Sequence, residues 1–193
     1  MLRTSRIVVL ACLALTAMLT TTGCTPDLSA QAALTKGNKA LAAYAKAEAT
    51  IAAQIAEAAA VQPTPEGVQP GIAQLAAVDK AMVARNQDAL TAKAQFEKFR
   101  ATTSDAKEKG YADRAIALAD GLLALDAGTV ALTTDMTALY QAVAKNSSDT
   151  ARVIALADAV TKGQVAYEKL RVQVKALSDA ADEYFLKNLA GAK

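Results

Sequence analysis

The sequence predicts an all-α protein, folded as an elongated antiparallel four-helix bundle that is rich in Ala and packs in a coiled-coil-like manner. About a quarter of the residues are Ala, the strongest helix former. Apolar residues recur at alternating steps of three and four, which is the spacing of a buried helix seam. The four prolines lie outside these periodic stretches, where they separate one helix from the next.

The N-terminus has the pattern of a secretory leader. Arg3 and Arg6 precede an unbroken run of apolar or small residues from Ile7 to Leu19. A membrane-spanning helix needs about 20 apolar residues, so this shorter run is typical of the hydrophobic region of a signal peptide.

The run ends in Thr20-Thr21-Thr22-Gly23-Cys24, which resembles the lipobox of bacterial lipoproteins. The resemblance implies that signal peptidase II cleaves before Cys24 and that its sulfur carries diacylglycerol, with palmitate among the acyl chains. The sequence departs from the family at Thr21, where Leu is usual. The alternative is an ordinary secretory cleavage near Gly23 that leaves Cys24 as a free thiol.

Three regions follow: a removed signal peptide (1–23), a short tether (24–27) and the bundle (28–193). Cys12 falls in the leader, so Cys24 is the only cysteine of the remaining chain, and no internal disulfide can form. The expected location is the bacterial cell envelope, with the lipid-anchored protein facing the periplasm or the cell exterior.

Charge gives no reason to expect a nucleic-acid partner. The 21 Lys and Arg residues include Arg3 and Arg6, so removal of the leader leaves 19, equal to the 19 Asp and Glu residues. Dispersed charge with a net value near zero does not produce the basic surface that phosphate backbones require.

The prolines, glycines and capping residues between the periodic stretches predict helices at about 28–60, 72–104, 106–145 and 149–189. The stretch 61–71 contains Pro63, Pro65 and Pro70 and is predicted to be a loop. Asp105-x-x-Glu108 resembles a capping box at the start of the third helix, and Gly110 is expected in a left-handed turn.

Periodicity is clearest in the last two helices. The predicted seam of the third consists of Tyr111, Ala115, Leu118, Leu122, Leu125, Thr129, Leu132, Met136, Leu139 and Val143. The predicted seam of the fourth consists of Val153, Leu156, Val160, Gly163, Tyr167, Leu170, Val174, Leu177, Ala181 and Tyr184. We expect both rows of side chains to be buried between antiparallel helices.

Candidate chemistry is sparse. The chain has no His, which excludes His-based triads and His-ligated metals. A metal site made of carboxylates alone could use Glu48 and Asp79, which fall near the predicted seams of the first two helices. Isolated polar residues on such weak seams are more typical of a misassigned register or of rim positions. Every Asp and Glu of the last two helices falls outside the seam positions, and Asp113, Asp120, Asp158 and Asp179 are expected in solvent. We therefore expect no catalytic residue, no metal site and no cofactor.

Three helical glycines are candidates for a groove. Gly121 and Gly128 lie seven residues apart on one edge of the third helix, and Gly163 replaces a seam residue in the fourth. Each costs about 1 kcal/mol relative to Ala in a helix interior, so a compensating role is expected. The simpler role is close helix approach, and the other is a groove that admits a ligand or a partner helix.

The sequence thus favours an envelope-anchored helical lipoprotein with a non-catalytic role, as a structural element, a scaffold or a partner-binding module. Its partners would be the membrane, through the lipid on Cys24, and an unidentified protein. One alternative is a bundle that binds a small apolar ligand, which would require a cavity near Gly128 or Gly163. Another is an amphipathic bundle that opens onto lipid.

Overall fold

The computed structural model describes residues 28–145 and 148–190, and these form four α-helices. The helices are α1 (Leu28–Ala59), α2 (Gln69–Thr102), α3 (Ala106–Ala144) and α4 (Thr150–Asn188). They pack as a four-helix bundle without any strand in the described ranges, which confirms the all-α prediction. The leader and the tether, 1–27, lie outside the described residues.

Two helix starts follow from local chemistry. The helix α2 begins at Gln69, two residues before the predicted end of the 61–71 loop. Pro70 lies in its first turn, where a backbone N–H has no partner within the helix, so the missing N–H of proline costs no hydrogen bond. The helix α3 begins after Asp105, whose carboxylate accepts hydrogen bonds from the backbone N–H of Lys107 (2.7 Å) and Glu108 (3.0 Å).

The prediction of a left-handed turn at Gly110 is wrong. This residue lies inside α3, one turn from its start. The ring of Tyr184 occupies the space where a side chain would project, so the glycine serves a close approach between α3 and α4.

Sequential helices are neighbours: α1 packs along α2, α2 along α3, and α3 along α4. The helices α1 and α4 do not pack side by side along their lengths, so the bundle is less closed on that side. The N-terminus of α1 lies at the same end as the 102–106 connection and the C-terminus of α4, because neighbouring helices run antiparallel.

The apolar core consists of two clusters stacked along the bundle axis. The cluster at the end where α1 begins includes Tyr44, Phe96, Tyr111, Leu122 and Phe185. The second cluster includes the following residues from the other half: Ile51, Leu75, Met82, Leu125, Leu132, Met136 and Tyr167. The boundary between the clusters crosses the middle of the bundle.

The predicted seam of α3 is confirmed from Tyr111 to Met136, where every member is buried, while Leu139 and Val143 near the C-terminus are half-buried. The predicted seam of α4 is only partly buried. Tyr167 and Ala181 are buried, but the remaining members are half-exposed because α4 lies against one neighbour along most of its length.

By length and composition, α3 is the one helix of the described residues that could cross a membrane. Its buried row of Leu118, Leu122, Leu125 and Leu132 faces the bundle core, which accounts for this apolar composition.

Candidate functional site

A buried ion triad joins three helices at mid-length. Arg85 of α2, fully buried, forms salt bridges with Glu48 of α1 and with Asp126 of α3, where its Nε lies 2.8 Å from Oδ1. Its Nη2 donates a hydrogen bond of 3.0 Å to the hydroxyl of Thr129, which in turn donates to the Leu125 carbonyl. The two Nη atoms of Arg85 therefore donate hydrogen bonds to Glu48 and Thr129, whereas Nε makes a charge contact with Asp126 without a hydrogen bond.

Two tyrosines complete the network. The Tyr44 hydroxyl donates to Asp126 Oδ1 (2.8 Å) and its ring lies beneath the Arg85 guanidinium, 5.2 Å from ring centroid to Cζ. The Tyr167 hydroxyl of α4 donates to Glu48 Oε1 (3.2 Å), so all four helices contribute a side chain. Burial raises the pKa of both Tyr44 and Tyr167 above the ordinary value of 10.0, because the phenolate would be charged in an apolar surrounding.

The network occupies the boundary between the two apolar clusters. Asn86, next to Arg85 in α2, donates to the second Asp126 oxygen at 3.1 Å. The side chains of Glu48 and Asp126 are 10% and 3% exposed, so neither carboxylate is open to solvent. The arrangement places the buried guanidinium between two carboxylates and joins the helices to each other at one level of the bundle.

Sequence reasoning found part of this site. Glu48 is the seam carboxylate that the pattern singled out, but the expectation of a rim position is wrong, because Glu48 is buried against Arg85. The expectation that carboxylates outside the seams face solvent is wrong for Asp126, which follows the seam residue Leu125 and is buried. The signal that could have found the triad is Arg85 itself, which is three residues after Met82 and so lies on the apolar row of α2.

The two carboxylates considered as a pair do not meet. Glu48 binds Arg85, whereas Asp79 is exposed and accepts a hydrogen bond of 3.4 Å from Thr133 of α3. Within residues 28–145 and 148–190, no three Cys, Asp or Glu side chains are grouped so that they could hold a metal ion.

The four carboxylates predicted in solvent are exposed, and each has a basic neighbour. Asp113 and Asp120 of α3 pair with Arg100 and Lys93 of α2, whereas Asp158 and Asp179 pair with lysines of α4 itself. Such exposed pairs contribute about 0–1 kcal/mol each to the free energy of unfolding, so they do not determine how the helices pack.

The three candidate glycines all lie at the contact between α3 and α4. An added Cβ would come within 2.7 Å of Leu177 Cδ1 at Gly121, within 2.5 Å of Leu170 Cδ1 at Gly128, and within 3.3 Å of Leu132 Cδ1 at Gly163. The absent side chains therefore let leucines of one helix rest on the backbone of the other. Close approach is the role that this geometry supports.

A groove is present beside Gly121, one of the three candidate glycines. It has a volume of about 410 Å³, opens at the surface between α3 and α4, and is lined by Gly121, Ala124, Leu170, Gln173, Val174, Ala176 and Leu177. The lining is almost entirely apolar, so the groove offers shape and apolar contact with one amide for orientation.

Cys24, the candidate lipidation site, lies outside the described residues. Comparison of this chain with protein-family models, with curated proteins and with solved structures finds no match.

Proposed function

We propose that this chain is a lipid-anchored, non-catalytic module of the bacterial cell envelope, tethered at Cys24. The observation that carries the proposal is the succession of a basic start, a short apolar run and small residues before Cys24, followed closely by a folded helix. Only Thr25, Pro26 and Asp27 separate Cys24 from the first residue of α1. A lipid on Cys24 would therefore hold the end of the bundle that contains the 102–106 connection near the membrane surface.

The buried triad supports a non-catalytic role. Acid–base catalysis requires a carboxylate that substrate can reach within hydrogen-bond distance. Glu48 and Asp126 instead face Arg85, Tyr44 and Tyr167 inside the bundle. The chemistry-bearing side chains at the centre of the fold are thus used for holding its helices together.

The surface of α4 supports a protein-binding role for the tethered bundle. Val165, Val172 and Leu186 are each about two-thirds exposed and are separated by multiples of seven residues. At about 100° per residue, Val165 and Val172 lie about 140–160° around α4 from Tyr167 and Leu186 about 100° from it, so all three are directed away from that buried side chain. Exposed aliphatic residues aligned on one helix face are typical of surfaces that contact other proteins.

The anchor is tested by acyl labelling in a bacterial host. We expect Cys24→Ala to abolish incorporation of labelled palmitate and to release the protein from the membrane fraction. Cys12→Ala is the matched control, because it removes a cysteine from the leader without changing the lipobox-like residues, and labelling should persist. Labelling of the Cys24→Ala protein would overturn the proposal.

The protein-binding role is tested by a photo-crosslinking residue placed at Val172 in cells. We expect one dominant adduct with another protein. The same probe at Ala49, an exposed residue on the outer side of α1, is the control and should not give that adduct. Identical adducts from both positions, or none from Val172, would contradict a binding role for this face.

A second candidate function is the binding of a small apolar molecule, favoured by the groove beside Gly121. Its volume is within the range of small-molecule sites, about 300–1,000 Å³. Ala124 is exposed at this groove, so Ala124→Trp should fill it without disturbing the core. Saturable binding of a fluorescent fatty acid to the unaltered chain, lost in this variant, would support the candidate; equal binding by both would refute it.

A further inference from the structure

We propose that α4 is a strap that opens from a stable three-helix core, and that the Tyr167–Glu48 hydrogen bond is the latch that closes it. In the open form, α1, α2 and α3 remain packed and the triad Glu48–Arg85–Asp126 remains paired. The row of α3 that contacts α4, including Gly121, Gly128 and Leu132, is then uncovered.

Two helices of equal length, α3 and α4, differ in the number of residues they bury. The helices α3 and α4 both have 39 residues, but α3 buries thirteen of them and α4 buries three. The buried residues of α4 are Tyr167, Ala181 and Phe185, so none lies in its first four turns. Since burial of apolar surface is the main stabilising term in folding, α4 gains much less from its attachment than α3 does.

The helix α4 has one packing neighbour along its length. It lies against α3 and not along α1 or α2. The helix α1 also packs along a single neighbour, α2, but it buries eleven of its 32 residues and is joined to α3 by the hydrogen bonds of Tyr44 and Tyr140. Lifting α4 from the bundle therefore disrupts one helix–helix interface and leaves the contacts of α1 with α2 and of α2 with α3 unchanged. Elements with few buried contacts are those that open with the lowest free energy in native proteins.

The side-chain contacts that hold α4 on the bundle lie near its middle and near its C-terminal end. The Tyr167 hydroxyl reaches across to Glu48 of α1, near the middle of the helix. Near its end, the Phe185 ring meets the Tyr111 ring edge to face at 5.5 Å, and Tyr184 stacks beneath Arg114 at 3.9 Å. The aromatic pair joins α4 to α3, so Tyr167 is the side chain that ties α4 to the buried triad.

Hydrogen exchange of the full chain, read peptide by peptide, tests the proposal. We expect amides of α4 between residues 156 and 181 to exchange at least ~10-fold faster than those of α3 between residues 115 and 133, through an opening that leaves α1–α3 protected. Exchange of α3 and α4 at one common rate would show a single cooperative unit and would overturn the proposal.

The latch is tested by Tyr167→Phe, which removes the hydroxyl and keeps the ring. We expect exchange of α4 to accelerate roughly 5-fold, as loss of one hydrogen bond predicts, with α1–α3 unchanged. The matched control is Tyr140→Phe, because the Tyr140 hydroxyl donates to the Ala58 carbonyl at 2.7 Å and joins α3 to α1. This control should leave the ratio of α4 to α3 exchange unaltered.

Two other results of the Tyr167→Phe experiment would contradict the latch. If Tyr167→Phe accelerates all four helices alike, the hydroxyl stabilises the whole bundle and is not a latch. If it leaves α4 exchange unchanged, the closing contact is elsewhere and the proposed latch is wrong.

Discussion

At the scale of single residues, Arg85 decides how the middle of the core is built. A guanidinium cannot lose its proton at any ordinary pH, so its burial requires acceptors from the surrounding helices. Glu48, Asp126 and Thr129 provide them. Heptad spacing places Glu48 and Arg85 each on the inner face of its own helix. It does not determine the axial alignment of α1 and α2, and so does not show which residues of the two helices lie opposite each other. The pairing across helices could therefore not be predicted from either pattern alone.

Replacing Arg85 tests how much the triad contributes. Arg85→Met should lower the free energy of unfolding by about 3–5 kcal/mol, because it leaves two carboxylates buried close to each other without a counter-ion. Urea unfolding measures the change. The matched control is Arg100→Met on the same helix, whose half-exposed pair with Asp113 should cost no more than about 1 kcal/mol. Equal losses in the two variants would contradict the assignment of the triad as the stabilising cluster.

At the scale of helices, periodicity predicted the number, order and approximate bounds of all four elements. It also predicted equal burial for the seams of α3 and α4, and the structure separates them. The reason is that a row of apolar residues identifies the face that can be buried, whereas the number of neighbouring helices determines how much of it is buried. The helix α3 packs along α2 and α4 and also meets α1 through Asp126 and Tyr140, whereas α4 packs along α3 alone and meets α1 at Tyr167.

The two seams are distinguished by a pair of identical substitutions. Leu132→Ala removes a side chain that is 1% exposed and should lower the unfolding free energy by about 2–5 kcal/mol through lost burial and a cavity. Leu156→Ala on α4 removes a half-exposed side chain and should cost about 1 kcal/mol, because part of its surface already faces water. Chemical denaturation of both variants measures the difference, and a larger loss at Leu156 would show that α4 is packed as tightly as α3.

At the scale of the whole molecule, the triad separates two apolar clusters and so marks one level of the bundle. Ala-rich helices with heptad spacing can slide past each other by seven residues and still match apolar rows. In this chain, such a slide of α1 along α2 would place Leu41 or Ile55 opposite the Arg85 guanidinium in place of Glu48. An unpaired buried charge would then penalise the wrong register, so the triad specifies the alignment of the helices even where it adds little to stability.

Tyrosine hydroxyls that the fold removes from water give the folded protein a dependence on alkaline pH. Burial raises the pKa of Tyr44, Tyr140 and Tyr167, while the unfolded chain releases these protons near pH 10. Because the folded state binds more protons than the unfolded state above that pH, stability is retained below about pH 10 and falls as the pH rises further. The urea concentration at the midpoint of unfolding should therefore change little from about pH 8 to 10 and decline above about pH 10, with tyrosinate absorbance rising as the chain unfolds.

Lysines lose their charge in the same range, so the control must separate them from the tyrosines. A variant with Phe at positions 44, 140 and 167 keeps every lysine and should be less stable at neutral pH but show a flatter decline toward pH 11. A decline of unchanged slope would assign the alkaline transition to the lysines and contradict the role of the buried hydroxyls. A flatter slope would show that the hydroxyls of Tyr44, Tyr140 and Tyr167 make the folded protein sensitive to alkali.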